Sequence, residues 1–278
     1  MRKHLPTHRP RCRPGNGLRP EVKPCRVGIV VALPSESRTW CRHAVPVGTQ
    51  HRIGDQALLA VSGVGEQRAA RAAEGLVEAG VSGLVSWGCA AGLATGLRAG
   101  ALCLPEVVVS TDGQRWPTDS AWRQVVADSL GEPAASAGAL AHALQVVASH
   151  SAKRALAAQT GAVLADMESA AMARVALRHG LPLLVVRSVV DPLELTLPSI
   201  ITDHIDDSGR VPLAPLLRGL VRRPGDLLTL LQLARGFRAS LASLRAVRAG
   251  AGDNLLLTQA LSCPRPGVVV DRSEPLFP

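Results

Sequence analysis

The sequence predicts an α/β protein: a three-layer α/β/α sandwich around a twisted, largely parallel mixed sheet. Three observations carry this. Short apolar runs rich in Val, Leu and Ala alternate along the chain with helical patterns. Each run closes on a turn signal made of Gly, Ala, Ser or an acid. Hydrophobic residues are 47% of the 278 but aromatics only 2%, so a large core is built from aliphatic side chains.

The elements follow in chain order. Residues 1–24 are basic, rich in Pro and Gly and without periodicity, and read as a disordered arm. "RVGIVVAL" is a short buried strand, and "ALLAVSGVG" a second one ending in a Gly-rich turn. "EQRAARAAEGLVEAG" is an amphipathic helix closed by Gly80. "VSGLVSWGCAAGL" is a strand that gives way to a Gly/Ala turn, and "ALCLPEVVVS" is another strand. "TDSAWRQVVADSL" is a helix with Thr118 and Asp119 as N-cap candidates. "GAVLADMES" leads a strand into a helix, and "LPLLVVRSVVD" is a strand flanked by turn chemistry. Residues 25–224 thus form the main domain, 225–250 a basic amphipathic C-terminal helix, and 251–278 a loosely ordered tail with a candidate strand at "GVVV".

The net charge of +9 invites a nucleic-acid reading, but its distribution opposes one. Residues 1–26 hold eight Lys/Arg and one acid, and residues 217–248 hold seven Arg and one Asp. Residues 27–216 are slightly acidic, with 14 basic and 17 acidic residues. Base-stacking aromatics are scarce, so no nucleic-acid partner is expected. The six Cys form no CxxC pair and no His stands at zinc-ligand spacing from them, so neither a metal nor a disulfide framework is expected. The start of the chain lacks the apolar core of a secretory signal, and no apolar run reaches the roughly 20 residues of a spanning helix. The expectation is a cytoplasmic protein.

In a sheet of this kind ligands bind beyond the carboxyl ends of the strands. Glu36, Ser62–Gly65, Gly88–Gly92, Asp166–Glu168 and Asp191 all follow predicted strands, and so converge on one rim. Acids on a common rim suit cleavage of an N-glycosidic bond. One protonates the departing base, one accepts hydrogen bonds from a ribose diol, and one orients water. Pattern alone does not select this reaction over others.

Five segments in order narrow the choice: "VGIVVALPSES", "SGVGEQRAA", "VSWGCAAGLATGLRAGAL", "ADMES" and "VVRSVVD". The chain from about Val27 to about Asp191 resembles the nucleoside phosphorylase superfamily, which includes methylthioadenosine/S-adenosylhomocysteine nucleosidases. "DGQRWPTDSAW", "GAVLADMESAAMA" and "VRRPGDLLTLLQLARGFRASL" resemble its hopanoid-associated branch. The resemblance implies the phosphorylase fold, with residues 25–224 as the catalytic domain. It implies that Asp191 serves the purine N7, where the alternative is a turn-initiating Asp before Pro192. It implies that Glu168 grips the ribose hydroxyls, Met167 packs on the sugar and Glu36 activates water. Helix capping is the alternative for the "DMES" acids and is the role expected of Asp166. The resemblance also implies that Gly63, Gly65, Gly88 and Cys89 fall in turns that form the phosphate or water pocket of relatives, where glycines let backbone N–H groups approach an oxyanion; ordinary tight turns are the alternative. Cys89 has no paired base in the sequence and is not read as a nucleophile.

Ser86 stands where true phosphorylases carry a phosphate-gripping Arg, which favours water. Arg38 could supply a replacement cation, so phosphate stays open as a co-substrate. No other cofactor is implied. The substrate implied is a 5′-substituted adenosine, adenosylhopane in that branch, with Trp116 and Trp122 as candidates either for an apolar exit or for the core. The Leu- and Arg-bearing helix over 226–248 could touch a membrane surface transiently or dock against the sheet. A homodimer is implied by the relatives. The alternatives are a nucleosidase for small thio-nucleosides and a non-catalytic membrane-associated binding protein.

Overall fold

A computed structural model describes residues 25–131, 137–204, 206 and 223–262. The basic arm over 1–24 and the "GVVV" segment lie outside these residues. The elements come in the order β1 (Val27–Val31), α1 (Pro34–Ser37), β2 (Gln50–Ile53), β3 (Ala57–Val61), α2 (Glu66–Glu78), β4 (Gly83–Gly92), β5 (Leu102–Cys103), β6 (Val107–Val109), β7 (Arg115–Pro117), α3 (Ser120–Leu130), β8 (Ala139–His142), α4 (His150–Thr160), β9 (Leu164–Asp166), α5 (Ser169–Arg178), β10 (Leu183–Asp191), α6 (Ser199–Thr202), α7 (Asp226–Ala251) and α8 (Leu257–Ser262).

The long strand β4 organises the sheet. It runs parallel to β1 at one end and parallel to β10 along most of its length, and it meets β9 antiparallel through Ala91 and Gly92. The main path is β2-β3-β1-β4-β9-β8-β6-β7, with β10 branching from β4 and pairing with β5. Side chains alternate along each strand, so β1 sends Val27, Ile29 and Val31 to one core and Val30 to the other. The first core is closed by α3, α7 and α8 through Trp122, Leu244 and Leu257. The second is closed by α2 and α5 through Leu76 and Met172. A fully buried leucine such as Leu244 contributes about 1.5–3 kcal/mol. These two cores make the three layers that the alternating pattern predicted.

Several expectations need correction. Residues 88–92 are not a turn, because β4 continues to Gly92 with β10 beside it. Gly and Ala weaken a strand by propensity, yet here they make room for a carboxylate described below. "ALCLPEVVVS" is two strands, β5 and β6, separated at Pro105, which cannot donate to a ladder. Asp119 alone caps α3, its Oδ1 accepting from Trp122 N at 2.9 Å, which is worth about 1 kcal/mol. Thr118 Oγ1 donates instead to Pro105 O at 2.7 Å. The tail expected over 251–278 is ordered through Ser262: α8 forms there, and Leu255, Leu257 and Ala260 are buried. Six helical residues are too few to show a period, and tertiary contact holds them; Trp122 Nε1 donates to Leu255 O at 2.6 Å.

The C-terminal helix docks against the sheet, one of the two expectations for it. Gly236 brings α7 onto β10, where a Cβ would stand 2.3 Å from Val190 O. Ser240 Oγ donates to Val189 O at 2.5 Å and Ser243 Oγ to Gly100 O at 2.7 Å. Among the described residues, no helix is long and apolar enough to cross a membrane.

Candidate active site

The first acid comes from a tight turn. β1 ends at Val31, Pro34 opens α1, and Glu36 folds back over its own N-terminus. Glu36 Oε2 accepts from Ala32 N at 3.1 Å and Leu33 N at 2.9 Å, and Oε1 accepts from Cys89 N at 2.8 Å. The side chain is 3% exposed. A Cβ at position 88 would stand 2.6 Å from Glu36 Oε1, so only glycine lets β4 pass there. Burial raises the Glu36 pKa, and the three amides and the Arg187 charge oppose that rise.

The second acid sits between β9 and α5. Glu168 Oε1 accepts from Gly65 N at 2.9 Å, across 103 residues of sequence, and Oε2 accepts from Met167 N at 3.3 Å. Gly65 supplies that amide from a positive φ of 105°. The next residue, Glu66, is held by Arg174 and by His142 Nε2, fixing the start of α2 behind that amide. Burial, followed by the Asp166 charge, pushes Glu168 up to about 7.

Asp166 does more than cap. Its Oδ1 accepts from Ser169 N at 3.2 Å, and its Oδ2 receives Arg187 Nε at 2.8 Å and Nη2 at 2.6 Å. Arg187 Nη2 also donates to Ser86 Oγ at 2.6 Å and Ser169 Oγ at 3.1 Å. Burial disfavours the guanidinium charge, but Asp166, Glu168 and Glu36 outweigh it and raise the Arg187 pKa. Arg187 on β10, directly on Ser86, is thus a buried cation behind the cavity, which it does not line. Arg38 is exposed and does not line the cavity, so it does not fill that place.

The third acid, Asp191, ends β10. Lys153, fully buried on α4, sets Nζ 2.8 Å from Asp191 Oδ2 and donates to the carbonyls of Asp191, Pro192 and Leu195. Burial pushes Asp191 up to about 6, against the lowering effect of Lys153. The Cys89 thiol is driven well above its ordinary pKa by burial and then by the Glu36 charge, which keeps it neutral and disfavours it as a nucleophile.

One cavity of about 560 Å³ joins these groups. Glu36, Cys89, Met167, Glu168 and Asp191 line it together. Gly63, Gly65 and Gly88 stand behind that wall: Gly63 N donates to Ala32 O, and Gly65 N and Cys89 N are engaged by Glu168 and Glu36. The backbone amides do meet oxyanions, but these are carboxylates of the protein itself. The apolar part of the lining includes Leu230, Leu233 and Phe237 of α7 with Val146, Leu197 and Ile201. Trp116 and Trp122 are buried core residues and take no part in it.

Sequence reading missed Arg187 and Lys153. An Arg inside the apolar run "LLVVRSVVD" was the available signal, since a buried Arg requires a partner. Lys153 carried a fainter one, sharing a helix face with Leu156 and Thr160.

A sandwich of this topology with buried acids spaced around one rim cavity is the architecture of nucleoside phosphorylases and nucleosidases, enzymes acting on the glycosidic bond. The chain belongs to the Phosphorylase superfamily, whose family model matches residues 26–198. No curated protein sequence matches this one. Among solved structures it is similar to the 5′-methylthioadenosine/S-adenosyl homocysteine nucleosidase of Helicobacter pylori, with a TM-score of 0.61 at 16% identity, covering 86% of this chain and 98% of that one. The corresponding S. pneumoniae enzyme gives 0.61 at 19% identity, over 82% and 100% of the two chains. The futalosine hydrolase of H. pylori gives 0.60 at 17% identity, over 81% and 97%. At these identities the likeness is one of fold.

Proposed function

We propose that this enzyme hydrolyses the N-glycosidic bond of an adenosine bearing a large apolar group at C5′, releasing adenine. Adenosylhopane, the substrate of the branch its motifs resemble, is the compound in view. The observation that carries the reading is the composition of the cavity. Glu36, Glu168 and Asp191 line it together with Leu230, Leu233 and Phe237.

Each acid then has a task. Glu168 accepts hydrogen bonds from the ribose hydroxyls, with Met167 against the sugar face. Asp191 gives a proton to the purine as the bond to C1′ breaks, which spares the base a negative charge. Glu36 receives the proton of the attacking water. Water is favoured over phosphate because buried carboxylates face the nucleophile's side of the cavity and would repel a dianion, while Gly65 and Cys89 already give their amides to carboxylates.

The outer face of α7 supports a transient contact with the bilayer that would hold such a substrate. Leu227, Leu228 and Leu231 are exposed at its start, followed by exposed Arg235, Arg238 and Arg245 on the same side. A homodimer and a hopanoid role belong to the same proposal.

The deciding experiment compares adenine release from adenosylhopane and from 5′-methylthioadenosine, each with and without phosphate, and weighs the sugar product. Free ribosylhopane formed at a phosphate-independent rate is expected. A phosphorylated sugar would overturn hydrolysis, and faster turnover of methylthioadenosine would overturn the apolar 5′ group.

A further inference from the structure

Lys153 is a charge for which the reaction above has no task. Its side chain is fully buried on α4, where an isolated ammonium is costly. It reaches across 38 residues to the end of β10. Its N–H groups go to the carbonyls of Asp191 (3.2 Å), Pro192 (2.7 Å) and Leu195 (2.9 Å), so they are committed to the turn that carries the acid. The same nitrogen stands 2.8 Å from Asp191 Oδ2. Burial alone calls for an acid beside this ammonium, and the acid it meets is the one the proposed reaction ionises. A buried carboxylate that must appear during a reaction does need a cation.

We propose that Lys153 is the positioning residue of Asp191: anchored by the three carbonyls, its ammonium fixes one carboxylate oxygen and takes up the negative charge that Asp191 acquires on giving its proton to the departing base. This rests on the proposed reaction. The proton of Asp191 moves to a ring nitrogen of the base, and the pair of the C1′–N bond leaves with the base. Water adds to C1′ and its proton passes to Glu36. Asp191 ends as a carboxylate beside Lys153, already paired, with no solvent reorganisation required.

The groups that face Asp191 are few. Cys89 of β4 feels its charge, Glu36 and Glu168 share the cavity, and His150 of α4 contacts the following turn through Leu193 O at 3.2 Å. From α7 the cavity receives Leu233, Ala234 and Phe237.

The test uses Lys153→Met, Asp191→Asn and the double variant, with two readouts. The first follows the Asp191 carboxyl carbon by ¹³C NMR against pH, assigned by its loss in Asp191→Asn, and requires no substrate. The parent midpoint is expected at about 6, and Lys153→Met should move it up by about one unit or more. The second follows adenine release from 5′-methylthioadenosine between pH 5 and 9. Lys153→Met should lower kcat about a hundredfold with little change in KM, and carry the alkaline limb upward with the midpoint. On the Asp191→Asn background the same change should cost less than about twofold, because the two act as a unit.

An unmoved midpoint, or equal losses on both backgrounds, overturns the proposal and leaves Lys153 a structural tie. If Lys153→Met does not fold, folding of the double variant supports the proposal, since the unpaired carboxylate was then the fault; failure of the double variant as well overturns it. Absence of adenine release by the parent enzyme from adenosylhopane as well as from 5′-methylthioadenosine would sink the function while the titration still decides the pairing.

Discussion

The two sets of side chains that line the cavity are built on opposite rules. Each of the three acids is held: Glu36 by three amides, Glu168 by two, and Asp191 by Lys153. The apolar lining comes largely from α7 and from the loop after β8, where Val146 is 38% exposed and its neighbour Leu144 is 74% exposed. The contrast teaches a division of labour. Charge stabilisation depends on fixed geometry, because a preorganised group needs no reorganisation as the reaction proceeds. Apolar recognition depends on area and tolerates small displacements. On the proposed function, the acids serve what every adenosine shares, and the apolar side chains serve what distinguishes one 5′ group from another.

The contrast can be broken most severely at Asp191. Asp191→Asn keeps the shape and removes the proton donor, and kcat for adenine release should fall by about 10³-fold. A loss below tenfold on both long- and short-tailed substrates would move the acid role elsewhere.

Gly88→Ala probes the fixed geometry without touching a charge. The added methyl meets Glu36 Oε1 and must push the carboxylate off Cys89 N. About a hundredfold loss in kcat is expected, as a misplaced group costs that much, together with a lowered melting temperature from the clash. Steady-state kinetics beside a thermal melt checks both halves of that outcome.

Phe237→Asp sharpens the comparison through the apolar side chains. It places a charge on the apolar wall, and KM for a long-tailed substrate should rise about tenfold or more, the order expected from losing a buried aromatic contact. Turnover of methylthioadenosine should change by less than about twofold if the short tail does not reach that wall. Equal effects on the two substrates would remove the division of labour between acids and apolar lining.

The smallest effect concerns stability against pH. Glu168 keeps its proton to about 7 when folded but only to 4.5 when unfolded. Its contribution is full below the unfolded value and is lost as pH rises through the folded one. Asp191, raised from 3.8 to about 6, acts in the same direction. The melting temperature should therefore fall between pH 5 and 8. Glu168→Gln should flatten that fall by several degrees, at roughly 2–4 °C per kcal/mol for a protein of this size. A profile with the same slope in the variant would remove Glu168 as its source.

Much of the scaffold was legible. The runs at Val27–Val31, Ala57–Val61 and Leu183–Asp191 are strands because β-branched and aliphatic residues cluster between turn signals. Gly80, at a φ of 79°, ends α2 as its position suggested. What escaped was short or dependent on neighbours. The strands β2, β7 and β8 hold three or four residues each, too few for a pattern, and α8 is held mainly by what surrounds it.

The candidate site divides along the same line. Glu36, Met167, Glu168 and Asp191 could be read locally, because each lies beside the strand end that presents it. Their supports could not. Gly65 reaches Glu168 over 103 residues, Glu36 receives Cys89 N over 53, Lys153 finds the Asp191 turn over 38 and Arg187 finds Asp166 over 21. By itself the sequence determined the alternation of strands and helices and which residues stand at strand ends, since both follow from local periodicity and turn chemistry. Only the tertiary structure decided which buried cation meets which acid, and that α7 walls the cavity. Those outcomes depend on sheet register and helix packing, and a buried charge takes its partner from whatever the fold brings within about 3 Å.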